Sequence, residues 1–87
     1  MKVAVWDTYL QKPDGEKMHF DILVPETIKD TEQIFSYGQE YLKGKNVKSK
    51  ILTSKECEFC HIEEASQTII SYIETRGYHI IEMENCD

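Results

Sequence analysis

Along residues 3–10, Val-Ala-Val-Trp-Asp-Thr-Tyr-Leu, and 17–24, Lys-Met-His-Phe-Asp-Ile-Leu-Val, apolar side chains recur at alternate positions, the period of a strand with a buried face. Between them Lys12-Pro13-Asp14-Gly15-Glu16 carries turn chemistry, with Gly15 suited to positive φ. Parity sets the register. Met18, Phe20, Ile22 and Val24 must share a face with Ala4, Trp6, Thr8 and Leu10, and pairing Lys12 with Glu16 leaves the three-residue loop Pro13-Asp14-Gly15. Trp6 then faces Ile22, Tyr9 faces His19, and Asp7 faces Asp21. The second face of this hairpin is polar near the turn, at Asp7, Tyr9, His19 and Asp21, and apolar away from it, at Val3, Val5 and Leu23. Two aspartates directly opposite each other repel unless a cation or a proton intervenes. That makes these four residues a candidate binding or subunit-contact surface, with a plain solvent-facing sheet as the alternative.

Pro25 and Glu26 end the hairpin, and the period then changes. Asp30 is a good N-cap with Gln33 at the capping-box position, and Ile34, Phe35, Gly38, Tyr41 and Leu42 repeat at helical spacing, which predicts a helix over about 31–43. Gly38 would let that helix approach the sheet closely. Residues 47–54 read as a third strand, Val47, Ile51 and Thr53 alternating with Lys48, Lys50 and Ser54, and the lysines place it at an edge. A second helix holds Ile69, Ile70 and Ile73 and ends before Gly77; it starts either at the N-cap Ser66 or further back, near Ile62. The last strand, Tyr78 to Glu84, has apolar residues of both parities, as a central strand does. The expected fold is therefore a single domain over 1–87 of the α/β class, α+β-like. It has the order ββαβαβ, an N-terminal β-hairpin, two helices and a four-stranded mixed sheet. Helical crossovers make strands two, three and four parallel, in the order 2-1-4-3 or 2-1-3-4.

Composition narrows the function classes. The net charge is −6, with 10 Lys and Arg against 16 Asp and Glu, which opposes nucleic-acid binding. Five of the bases, Lys43, Lys45, Lys48, Lys50 and Lys55, fall close together, either guarding a strand edge or forming an anion site. No apolar run approaches a membrane span or a signal sequence, so a cytoplasmic protein is expected, in which cysteines stay reduced.

In that setting the segment Glu56-Cys57-Glu58-Phe59-Cys60-His61 is the strongest chemical signal. A Cys-x-x-Cys pair has the knuckle spacing of a zinc site, and parallel third and fourth strands would bring Cys86 to the same sheet edge. Cys57, Cys60, His61 and Cys86 are thus the candidate metal ligands, with zinc the implied cofactor. A redox pair near a helix N-terminus, covalent haem attachment after export, and reduced cysteines packed as small hydrophobes are the competing readings. A Cys60–His61 nucleophile and base is disfavoured because adjacent residues rarely face each other, so a non-enzymatic protein is expected.

Asp7-Thr8-Tyr9, Gly15, Met18-His19-Phe20-Asp21, Glu56-Cys57-x-Phe59-Cys60-His61, Gly77-Tyr78 and the near-terminal Cys86 together resemble a small bacterial family, domain of unknown function number twenty twenty-four. The likeness runs through the whole chain and implies a compact bacterial α/β domain without an established activity. The leading expectation is an interaction module with a structural zinc or thiol cluster, with a protein partner or a homodimer as what it binds. The second is a thiol-redox or metal-handling protein using Cys-x-x-Cys-His.

Overall fold

A computed structural model describes residues 1–47 and 51–86. The hairpin forms as parity requires. Strands β1 (Lys2–Gln11) and β2 (Lys17–Pro25) pair antiparallel with Trp6 opposite Ile22, Asp7 opposite Asp21 and Tyr9 opposite His19. Lys12 N donates to Glu16 O at 2.8 Å, Gly15 sits at φ +91°, and the Asp14 carboxylate accepts from Glu16 N at 2.9 Å, so the loop is Pro13-Asp14-Gly15. Trp6 is half-buried and packs at the margin of the core, edge-to-face with Phe59 at 5.8 Å.

Helix α1 (Thr31–Gly44) starts at Asp30, whose side chain accepts from Glu32 N and Gln33 N. Its apolar stripe of Ile34, Gly38 and Leu42 lies on the sheet face of Ala4, Phe20, Ile22 and Val24. A Cβ at Gly38 would stand 2.6 Å from Leu52 Cδ1 and 3.0 Å from Ile22 Cδ1, so glycine is what permits this approach.

The third strand is not where alternation placed it. Residues 48–50 of the expected 47–54 strand lie outside the described residues, and Val47 and 51–54 are loop and turn. The parity there is also reversed: Ile51 is 82% exposed, whereas Leu52 is 2% exposed and its N–H bonds Gln39 Oε1 at 2.5 Å. That segment is a plug against α1. The strand is the cysteine segment itself, β3 (Cys57–Glu64). It is followed by helix α2 (Gln67–Arg76), capped by Ser66 and ending at Gly77, and by β4 (His79–Glu84).

The sheet order is β3-β1-β2-β4 and every neighbouring pair is antiparallel. The α+β class, the ββαβαβ order and the hairpin stand; the mixed sheet and both expected strand orders are corrected. β3 does run in the direction of β2, as a helical crossover implies, but β1 lies between them. β4 runs the other way because α2 crosses the sheet instead of retracing it. It leaves β3 at one edge and delivers β4 to the other. Its 10 residues extend roughly 15 Å, close to the ~14 Å that three strand spacings require. β4 is an edge strand whose two apolar parities have two covers, Ile80 packing on the α1 side and Ile81 on the α2 side.

This transverse path positions the site. Ile73, Ile69 and Ala65 of α2 and the segment leading into it cover Val3, Val5 and Leu23. Among the described residues no helix lies over the turn end of the same face, with Asp7, Tyr9, His19 and Asp21.

Candidate functional site

Asp7 and Asp21 are cross-strand partners and His19 precedes Asp21 by two positions, so strand geometry alone puts the three side chains side by side. Their donor atoms converge. His19 Nε2 is 3.4 Å from Asp21 Oδ1 and 3.8 Å from Asp7 Oδ1, and one ligand atom from each residue lies within 4.8 Å of the other two. Among the described residues this is the one group of three or more His, Cys, Asp or Glu side chains gathered this closely. The side chains of His19 and Asp21 are each 14% exposed and that of Asp7 33%. His19 Nε2 and Asp21 Oδ1 are closed off from solvent and have no hydrogen-bond partner among the described residues. The imidazole is held by the Tyr9 ring, stacked on it at 4.0 Å and 12°, with Lys17 Nζ 5.0 Å from the far-reaching Tyr9 ring centroid.

The electrostatics match the geometry. Burial first, then the hydrogen bond and charge of Asp7, push the Asp21 carboxyl up from 3.8 to about 6, and His19 offsets part of this. Partial desolvation and the charges of Asp7, Asp21, Glu84 and Cys60 raise the Tyr9 hydroxyl.

A β-bulge brings two more residues in. Facing pairs run Thr8–Cys57, Asp7–Glu58 and Trp6–Phe59, then jump to Val5–His61 and Ala4–Ile62, which leaves Cys60 as the extra residue. The bulge turns Ile62 onto the α1 face with Phe59 and puts Cys60 and His61 together on the polar face. Cys60 Sγ lies 3.1 Å from His61 Nδ1, and the Asp7 carboxylate is near enough to act on its thiol. Adjacent residues do meet here, contrary to the usual strand alternation. Partial desolvation and then Asp7, Asp21 and Glu63 hold the Cys60 thiol above its ordinary range, the opposite of what a catalytic thiolate needs.

The expected four-residue thiol site is not assembled. Cys57 is buried in the α1-side core opposite Thr8, where burial raises its thiol. Cys86 is buried at the β4 edge, its Sγ donating to His19 O at 3.2 Å and Glu84 O at 3.3 Å. β3 and β4 are at opposite edges, so two to three strand spacings, roughly 10–14 Å, separate Cys86 from Cys57. All three cysteines are free. The structure instead joins half of the metal set to the whole of the polar-surface set: Cys60 and His61 stand on the face of Asp7, Tyr9, His19 and Asp21. The sequence signal for this was the spacing of apolar residues 57, 59 and 62, two steps and then three, which marks a bulge in an otherwise alternating strand.

Fold and site thus define a small α+β domain with an antiparallel sheet, one half of one face sealed by a transverse helix and the other polar. The chain belongs to the family described as domain of unknown function (DUF2024), which matches over residues 1–83. It is similar to protein NE1680 from Nitrosomonas europaea, whose NMR structure is 34% identical and superposes with a TM-score of 0.86 over 100% of both chains. No curated protein matches the chain. Among the described residues no helix is long and apolar enough to cross a membrane.

Proposed function

We propose that this chain is a metal-handling domain that takes a divalent transition-metal ion between Asp7, His19 and Asp21. One observation carries the reading: three donor atoms converge, and two of them, His19 Nε2 and Asp21 Oδ1, are closed off from solvent with only the ion-pair contacts inside the cluster to satisfy them among the described residues. A buried polar atom without a well-formed hydrogen bond costs up to about 1–3 kcal/mol, and the ion-pair contacts within the cluster offset only part of that. Two ligand atoms about 2.1 Å from zinc at a tetrahedral angle stand roughly 3.4 Å apart, and the Nε2–Oδ1 separation is 3.4 Å. The His19 ring, fixed by Tyr9, presents its Nε2 lone pair when neutral, and a cation between Asp7 and Asp21 removes their repulsion. Three protein ligands from two strands leave room for exchange, which suits carrying or sensing an ion more than a closed structural site.

Calorimetric titration with Zn²⁺, Mn²⁺ and Mg²⁺ tests this. One equivalent of Zn²⁺ binds the wild-type chain, and His19→Ala or Asp21→Asn weakens it by on the order of 10-fold or more. Unchanged affinity in both variants would defeat the reading.

The interaction-module reading retains a separate observation. Among the described residues no strand pairs with the outer edge of β3, and Phe59 and Ile62 are exposed beside it. Glu58, Glu63 and Glu64 on that strand favour a basic peptide strand over a second copy of the chain. Sedimentation of the chain alone should then show a monomer.

A further inference from the structure

We infer that Cys60 is a fourth protein ligand of the Asp7–His19–Asp21 site, delivered there by the β3 bulge, and that its sulfur biases the site toward thiophilic ions, zinc before manganese or magnesium. This rests on the metal-handling reading and deepens it.

Strict alternation from Phe59 would place Cys60 on the polar face and return His61 to the α1 side. The bulge keeps both on the polar face and bends the edge strand, which is what bulges beside functional sites commonly do. Cys60 is also the thiol with access to a site: Cys57 and Cys86 are buried on the other side of the sheet, whereas Cys60 is exposed. On the strand beside Asp7, its thiol lies near enough for the Asp7 and Asp21 carboxylates to act on it, just outside the three atoms that already converge within 4.8 Å. His61 Nδ1, 3.1 Å from the sulfur, is placed to hydrogen-bond a bound thiolate; His61 is thereby a positioning residue and not a fifth ligand.

Softness decides the preference. One imidazole and two carboxylates already rank zinc above manganese and magnesium, and a thiolate widens that gap in favour of zinc and cobalt. Binding is a proton exchange: the Cys60 thiol loses its proton to buffer as the metal–sulfur bond forms, with no change of oxidation state.

Cobalt(II) is the probe, added to the reduced full-length chain, with Mn²⁺ in parallel. The expected result is one equivalent of Co²⁺ with a near-ultraviolet sulfur-to-cobalt charge-transfer band. Cys60→Ser abolishes the band, lowers Zn²⁺ affinity by on the order of 10-fold or more and leaves Mn²⁺ affinity unchanged, while Cys86→Ser keeps the band. Alkylation of Cys60 in the wild-type chain, slowed by stoichiometric Zn²⁺, reads the same contact without a substitution. Co²⁺ binding that depends on His19 but shows no sulfur band, with alkylation unaffected by Zn²⁺, would overturn the Cys60 assignment and leave the three-ligand site standing. Absence of any binding would remove the three-ligand site itself, and the Cys60 assignment with it.

Discussion

Two halves of one sheet face are built from the same strands at the same parity and end in opposite states. In the half away from the turn, Val3, Val5 and Leu23 are sealed by α2. In the half near the turn, Asp7, His19 and Asp21 have no helix above them, yet His19 and Asp21 are still mostly buried. Burial in the first half comes from apolar contact, which needs no partner atom by atom. In the second it comes from polar groups crowding one another, with Tyr9 stacked on His19 and the β3 bulge leaning in. The first arrangement stabilises the fold. The second costs stability, and the proposed cation would reverse that cost.

The largest expected effect lies in the sealed half. Leu23→Ala should lower unfolding free energy by about 2–5 kcal/mol in a urea titration, because its side chain is fully buried between sheet and α2. A loss below about 1 kcal/mol would show that α2 does not seal this half. Gly38→Ala, on the opposite face, should cost about 1–3 kcal/mol, since the added methyl meets Leu52 and Ile22 at distances that force one of them to shift.

The polar half should respond with the other sign. In chelated protein, Asp21→Asn is expected to raise the thermal midpoint at pH 7.5. Asp21 is more basic in the folded chain, about 6 against 3.8, so the native state takes up its proton before the unfolded state does. Its unfavourable contribution is full above about pH 6 and is relieved as pH falls from there toward 3.8. The charged and titratable groups around it are Asp7, His19, Cys60 and Glu84. The midpoint of wild-type chelated protein should therefore rise between pH 7.5 and pH 5.5 relative to Asp21→Asn, whose curve is flatter. A parallel pH dependence in both would mean that Asp21 is not the strained group.

What was legible in the sequence follows the same division. The hairpin register, the cap at Asp30, the close approach of Gly38 and the split of the second face into polar and apolar halves are local consequences of parity and spacing, and all of them appear in the structure. β3 was hidden because its bulge breaks the alternation on which strand reading relies, while Ile51 among the lysines imitated an edge strand. The shared thiol site failed on topology: it required β3 and β4 to be parallel and near, and a helix as short as α2 spans the width of a sheet as easily as its length. Cys60 was grouped with Cys57 and Cys86, and its place beside Asp7 was not legible because it depends on strand order.

The central claim is that the polar half of the face is a metal site, and it is tested most directly by amide and imidazole nitrogen spectra of labelled protein during Zn²⁺ titration. Shifts should saturate at one equivalent, concentrate at Asp7, Tyr9, His19, Asp21 and Cys60, and include His19 Nε2, while Val3, Val5, Leu23 and Ile73 stay in place. Spectra unchanged at these residues through several equivalents of Zn²⁺ would contradict it.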